Sequence, residues 1–150
     1  MPVSLDYLSA TPPLWHANTF VTRAGKNISV QVRNRGQVAV TDARVEVWHA
    51  AGASAVPPKW NSKTGGTPNW TKATGGPGGP KTVNAWPAPA TTFGQFKLPS
   101  ATASYWVLAA ATCAGDPANI DPATALPCTI GEARIADLVG GDNNLGLVKV

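Results

Sequence analysis

The sequence predicts an all-β protein, an antiparallel β-sandwich of about seven strands that forms a single domain over residues 1–150. Three observations carry this prediction. Only 13% of the residues are charged, and the chain holds 15 Gly and 14 Pro, a composition that fits a turn-rich β protein. Short segments alternate apolar and polar residues, which is the period of a half-buried strand. Turn-forming residues separate these segments, and helical periodicity is nearly absent.

The first two strand segments lie in the N-terminal third of the chain. In "ISVQV" at 28–32, three β-branched residues alternate with polar ones, and "RNRG" at 33–36 ends the strand with residues that tolerate turn conformations. In "ARVEVWHA" at 43–50, the two valines share one face, while Trp48 and the charged residues share the other. The two strands are expected either to pair as a hairpin or to lie opposite each other across the sandwich.

Residues 51–90 form a long insertion rich in Gly, Pro, Thr and Lys, with little periodicity. Forty such residues exceed an ordinary connection between strands. A flexible linker is one interpretation, but Trp60, Trp70 and Trp86 argue against full disorder, because disordered segments are poor in aromatic residues. We therefore expect an elaborated loop held to the sandwich by its tryptophans, with a short strand near residues 81–85.

Regular strands resume at "TTFGQFKL", residues 91–98. The following "SYWVLAAATC" at 104–113 is apolar on both faces, as in a central strand; a short buried helix is the alternative, which the Tyr-Trp-Val start disfavours. Residues 131–144 are expected to hold a helical turn, and "LGLVKV" at 145–150 forms the last strand. Strands of this number and spacing are typical of an immunoglobulin-like sandwich.

Cys113 and Cys128 bracket a loop rich in Pro, Ala and Asp. Two cysteines are too few for a structural zinc site, and neither histidine of the chain shows ligand spacing. A disulfide between them would stabilise the fold by about 3 kcal/mol and implies an oxidising compartment. Two buried thiols in a reducing compartment are the alternative.

The net charge of +4 is spread along the chain, and no run of Lys or Arg reaches three. A nucleic-acid-binding protein gathers its charge on one face, so no nucleic-acid partner is expected. No segment approaches the 18 apolar residues of a membrane span. Residues 1–13 lack the regions of a signal peptide, and Met1 is interpreted as the start of an excised piece whose natural export signal is absent.

No motif for catalysis is present, and the chain is expected to be non-enzymatic and to need no metal or cofactor. The sequence contains neither Gly-x-Ser-x-Gly nor His-Glu-x-x-His. His16 and His49 could act as bases, but nothing in the sequence places a nucleophile beside either.

Trp60, Trp70 and Trp86 are the candidate contact residues. Flat aromatic rings on a β-sandwich can stack on sugar rings, which makes a carbohydrate-binding module the alternative function. Packing as anchors of the insertion, or contact with a protein partner, are the other two interpretations, since exposed large apolar patches are rare unless they are used.

Residues 25–50, "GKNISVQVRNRGQVAVTDARVEVWHA", resemble the first half of a CARDB-type domain, a bacterial immunoglobulin-like module related to cell-adhesion proteins. The positions that carry the resemblance are Gly25, Asn27, Val30, Val32, Asn34, Gly36, Ala39, Val45 and Val47. Asp142, Asn143 and Asn144 resemble the polar corner that precedes the last strand of that family. The resemblance covers residues 20–50 and 92–150 and excludes the insertion.

The resemblance implies a seven-stranded sandwich that acts as an accessory module of a secreted or surface protein, serving as a spacer, adhesion or assembly domain. Its partners would be neighbouring domains of a parent protein, other protein surfaces, a second copy or a glycan. The resemblance implies no catalytic residues. Asn34 and Gly36, like residues 142–144, are expected to shape turns, because short polar side chains and glycine satisfy tight corners.

Overall fold

The computed structural model describes residues 19–115, 120–121, 126–127, 134–135, 137 and 145–150. The elements in these ranges are short to medium strands. In chain order they are β1 (Thr19–Ala24), β2 (Asn27–Val32), β3 (Val40–Ala51), β4 (Lys63–Thr64), β5 (Thr67–Pro68), β6 (Thr71–Lys72), β7 (Thr74–Gly75), β8 (Lys81–Val83), β9 (Thr91–Lys97), β10 (Tyr105–Thr112), β11 (Ile120–Asp121), β12 (Leu126–Pro127) and β13 (Leu145–Lys149).

Two antiparallel sheets contain most of these strands. The first sheet has the order β1-β2-β9-β7. The second has the order β13-β10-β3-β6, and β8 pairs with the beginning of β3. Two small hairpins, β4–β5 and β11–β12, lie outside these sheets. The predicted all-β, antiparallel architecture is confirmed.

One hydrophobic core lies between the two sheets. It takes the inward residues of β2 and β9 from the first sheet, and those of β3 and β10 from the second. Ile28 and Val30 are fully buried, and Val47 is nearly so, as the alternation predicts. Of the two expected arrangements for β2 and β3, the structure shows the second, because they belong to different sheets and face each other across this core.

The strand β10 is buried on both faces. Val107, Ala109 and Ala111 face the first sheet, whereas Leu108 and Ala110 face a second core on the outer side of the second sheet. The predicted central strand, apolar on both faces, is confirmed. The second core is completed by Trp60 and Trp70 of the insertion and by Ile135, among other residues, so the molecule has three layers over this strand. The backbone N–H of Asp137 donates to the Arg134 carbonyl (3.1 Å), a helical turn where one was expected.

The insertion pairs with both sheets through short strands, most of which the sequence did not reveal. β6 pairs with β3, Ala73 donates its N–H to the Val47 carbonyl (2.8 Å), and β7 then pairs with β9. The chain therefore crosses from the edge of one sheet to the edge of the other and covers both. β8 adds the expected short strand, three residues long. Periodicity could not reveal these segments, because two-residue strands are too short to show a period.

A bulge in β9 lets two phenylalanines face the same core. Phe93 and Phe96 are three residues apart, so regular alternation would place them on opposite faces. The pairing of β2 with β9 shifts register between Ile28 and Val30, and Gln95 takes a φ of 70°. Both phenylalanine rings are consequently buried, at 0% and 4% exposure. The extra residue of the bulge corrects the odd spacing.

Gln95→Gly is expected to raise the free energy of unfolding by about 0.5 kcal/mol. A residue with a Cβ is destabilised by about 1–2 kcal/mol in the left-handed conformation, and glycine avoids this cost. Part of the gain is offset, because glycine makes the unfolded chain more flexible. The Gln95 side chain is exposed, so little packing is removed. The measurement is urea unfolding. Gln95→Ala, which keeps the Cβ, is the matched control and should not stabilise; equal gains in both variants would contradict the bulge geometry.

Candidate functional site

The tryptophans of the insertion are positioned by a tight hairpin. β4 and β5 are joined by Gly65 and Gly66, whose φ angles of 57° and 84° suit a two-residue hairpin turn. At its base, the Asn69 side chain donates to Ser62 Oγ (2.9 Å) and accepts from Thr64 Oγ1 (2.9 Å). These bonds fix the hairpin that separates Trp60 from Trp70.

Trp60 and Trp70 are packing residues in this structure. They are 2% and 7% exposed. The Trp60 ring lies edge-on to Trp48 of β3, with centroids 5.4 Å apart, and 5.9 Å from the Trp70 ring. Trp70 Nε1 donates to the Pro58 carbonyl (3.0 Å). Of the three interpretations for these two residues, their burial fits packing as anchors, and neither ring is exposed for stacking on a sugar.

Trp86 lies apart from the other two. It is half-buried, and the Arg33 guanidinium carbon lies 5.6 Å from its ring centroid. Its backbone N–H donates to the Gly36 carbonyl (3.1 Å). The three candidate contact residues are therefore not brought together: Trp86 belongs to the neighbourhood of the turn that follows β2.

Asn34 organises that turn with both ends of its amide. Oδ1 accepts from the Gly36 N–H (2.8 Å), and Nδ2 donates to the carbonyls of Val38 (2.8 Å) and Val83 (3.3 Å). The side chain thus ties the segment after β2 to β8 of the insertion. Asp142, Asn143 and Asn144, the other predicted turn residues, lie outside the described residues.

A groove of about 480 Å³ opens beside this turn, at one end of the sandwich. Apolar side chains of Val32, Val40 and Val83 contribute to its lining, together with Arg33 and Arg35, both of which make further contacts. Val38 also lines the groove and is 78% exposed. The lining of the groove therefore combines apolar side chains with two cationic ones.

Cys113 also lines the groove and is half-buried. No disulfide occurs within the described part of the chain, and Cys128 lies outside it. The Cys113–Cys128 disulfide therefore stays a prediction. The loop that begins here is fixed by Asp42, whose carboxylate accepts the Ala114 N–H (2.8 Å).

His49, one of two candidate bases, is half-buried on β3. Its ring packs edge-on against Tyr105 with centroids 5.3 Å apart. Burial lowers the pKa of His49 below its ordinary value. His16 lies outside the described residues. Among residues that the structure describes, no group of three His, Cys, Asp or Glu side chains is arranged to hold a metal ion.

Sequence reasoning missed the way the lysines are placed. It treated the basic residues as scattered, but no Asp or Glu occurs between Glu46 and Asp116. Lys97 of this acid-free stretch lies near Lys26 at one end of the first sheet, since the N–H of the next residue, Leu98, donates to the Lys26 carbonyl (2.8 Å). The missing acids were the signal in the sequence.

Comparison of the chain with protein families, with curated proteins and with solved structures found no match. In the described ranges, no helix is both long enough and apolar enough to cross a membrane. The geometry of the chain itself therefore has to carry any functional argument.

Trp60→Ala is expected to destabilise the protein by about 3–5 kcal/mol, because it leaves a cavity in the second core and removes the contact with Trp48. Trp86→Ala should lose about 1 kcal/mol, mainly the contact with Arg33. Chemical denaturation measures the free energy of unfolding of both variants. The same substitution is thus compared at a buried and at a half-buried position. A Trp86 loss as large as the Trp60 loss would show that the two rings are packed alike.

Stability is expected to fall as the pH drops below about 6.5, the ordinary pKa of histidine. The unfolded chain then binds a proton at His49 before the folded chain does, because burial lowers the folded-state pKa, so protonation favours unfolding. The decrease continues until the pH passes the folded-state pKa. Urea midpoints of wild type, His49→Phe and His49→Gln between pH 7.5 and 5.5 measure it. If both variants keep the wild-type decrease, His49 is not its source.

Proposed function

We propose that this chain is a non-enzymatic, immunoglobulin-like accessory module of a bacterial secreted or surface protein, and that it acts as a spacer with adhesion or assembly roles. The strand order supports the fold part of this proposal. The order β1-β2-β9-β7 corresponds to strands A, B, E and D of an immunoglobulin-like sandwich, and β13-β10-β3 corresponds to G, F and C. β6 and β8 add an edge beside strand C, so the CARDB-like resemblance remains part of the proposal.

The single observation that carries the spacer role is where the chain enters and leaves the sandwich. Thr19, the first residue of β1, lies opposite Val32, at the end that holds the groove. Val150 exchanges two backbone hydrogen bonds with Tyr105 (2.8 Å each), at the other end of β10 from Cys113. The described chain thus runs from one end of the sandwich to the other, as a module inserted in line between neighbours requires.

The terminal strands are held in a way that resists extension. β1 pairs with β2 along its whole length, and β13 pairs with β10 along its whole length. A force that pulls the two ends of the described chain apart acts parallel to β1 and β13. The backbone hydrogen bonds of both strands are then sheared, and many must break at once. Arg23 adds to this by donating to the carbonyls of Gly25 (2.7 Å), Ala103 (2.8 Å) and Ser100 (3.0 Å) at the end of β1.

A carbohydrate-binding module that uses exposed tryptophans is not favoured by any contact, because Trp60 and Trp70 are buried. Assembly through a sheet edge remains open to β1 and β13, the outer strands of the two sheets on one side. The strands at the opposite edges, β6 and β7, are only two residues long, which makes strand addition there less favourable.

The test is force spectroscopy on a tandem array of the chain. Each copy is expected to unfold in one event that lengthens the array by roughly 40 nm, given about 3.5 Å of extended chain per residue. Arg23→Gln should lower the unfolding force without changing this length. Lys26→Gln, an equal change of charge that leaves those three carbonyl bonds in place, is the matched control. Extension without a force peak would overturn the spacer role.

A further inference from the structure

The long described segment of the chain, residues 19–115, is strongly basic. Residues 19–115 contain ten Lys and Arg but only two acidic residues, Asp42 and Glu46, a net charge of +8, whereas the rest of the chain carries −4. Both acids are engaged: Asp42 accepts from Ala114, and Glu46 forms an ion pair with Lys72. The cationic excess therefore lies in residues 19–115, on the strands and on the turns and hairpin between them.

The outer face of the first sheet is polar and free of acidic residues. Since Ile28, Val30 and Val32 point inward, the alternation places Asn27, Ser29 and Gln31 outward. Thr22 and Thr92 lie on either side of them, and both are exposed. These described side chains present amide and hydroxyl groups on the outer face.

Lysines frame this polar face, which we name the lysine face. At one end, Lys97 lies opposite Asn27 and its Nζ contacts Asn27 Oδ1, and Lys26 adjoins both. Toward the other end, Lys81 of β8, which pairs with β3 of the second sheet, reaches the edge of β9: its Nζ donates to the Thr92 carbonyl (2.8 Å) and lies 5.3 Å from the Phe93 ring centroid. Thr92 and Lys97 are five residues apart on β9, so the cations are spread over about 15 Å at about 3.3 Å per residue.

We propose that the lysine face binds an anionic polysaccharide, carboxylated or sulfated. This inference rests on the proposed function, since it names the partner of an adhesion module. Cations spread along a flat face match charges repeated along a polymer better than one small anion. The amides and hydroxyls between them suit sugar hydroxyl groups, because both can donate and accept hydrogen bonds.

The same face fits other polyanions less well. The described outward side chains of the face include no aromatic ring on which nucleic-acid bases could stack. A flat sheet presents no protruding helix or ribbon to enter a major groove. The described exposed large apolar residues, Val38 and Val56, do not belong to the face, so none of its described side chains would insert into a lipid surface.

The experiment titrates fluorescent polysaccharides with the full chain in 50 mM and 200 mM NaCl and follows anisotropy. The probes are polygalacturonate, heparin, neutral dextran and a DNA duplex. Lys26→Gln/Lys97→Gln removes two charges from the lysine face. Lys59→Gln/Lys63→Gln removes two charges near Trp60, on the outer side of the second sheet, and is the matched control.

The double variant of the lysine face should bind an anionic polysaccharide about five-fold more weakly, and the control less than about two-fold, given surface charge pairs of up to about 1 kcal/mol. Binding of polygalacturonate alone assigns carboxylates, and binding of heparin alone assigns sulfates. Equal losses in both variants, binding of dextran, tighter binding of DNA, or no binding at all would overturn the proposal. Force spectroscopy uses no polysaccharide, so the spacer role and this partner can fail separately.

Discussion

The central strand β10 must be covered on both faces, and the other layers of the molecule follow from that requirement. Leu108 and Ala109 are both fully buried although they point in opposite directions. The first sheet covers one face, but a two-layer sandwich leaves the other face of such a strand in water. Each large apolar side chain left exposed would forfeit about 1.5–3 kcal/mol of burial. A third layer is therefore needed, and the insertion provides it.

The small side chains of β10 determine how that third layer packs. The side chain of Ala110, next to Leu108 on the outer face of β10, is small. This leaves space for bulky rings on the outer side of the second sheet. Trp60 fills this space and meets Trp48 edge-on, the arrangement that aromatic pairs prefer. The loop at 52–56 is held from the same side, because Trp106 Nε1 and Lys149 Nζ both donate to the Ser54 carbonyl (3.1 Å each). Trp60 and Trp70 of the insertion thus stabilise the fold.

Because Trp60 and Trp70 are buried, the proposed binding surface lies elsewhere. Both faces of the second sheet are buried, one in each core. The outer face of the first sheet is therefore the broad polar surface left among the described sheet faces. Its strands contain no acidic residue among those described, and Lys97 lies near Lys26 at one end of it. The groove at the end of the sandwich is shaped by the Asn34 turn and lies where the chain enters β1. The proposed binding face and the proposed load path share β1 and β2, but the first uses outward side chains whereas the second uses the backbone hydrogen bonds between the two strands.

The sequence by itself determined which residues of each long strand face inward, because the side-chain period of two is a local property of extended chain. It predicted both faces of β10, the valine face of β3 and the apolar face of β2. Tertiary structure alone decided which strands pair, that Phe93 and Phe96 share a core despite their odd spacing, and that Trp60 and Trp70 are buried. Those outcomes depend on contacts between distant segments: the bulge at Gln95 forms against β2, and the Trp60 pocket exists only once β3, β10 and Ile135 are assembled. The proximity of Lys26 and Lys97 has the same origin, since it requires β2 and β9 to pair.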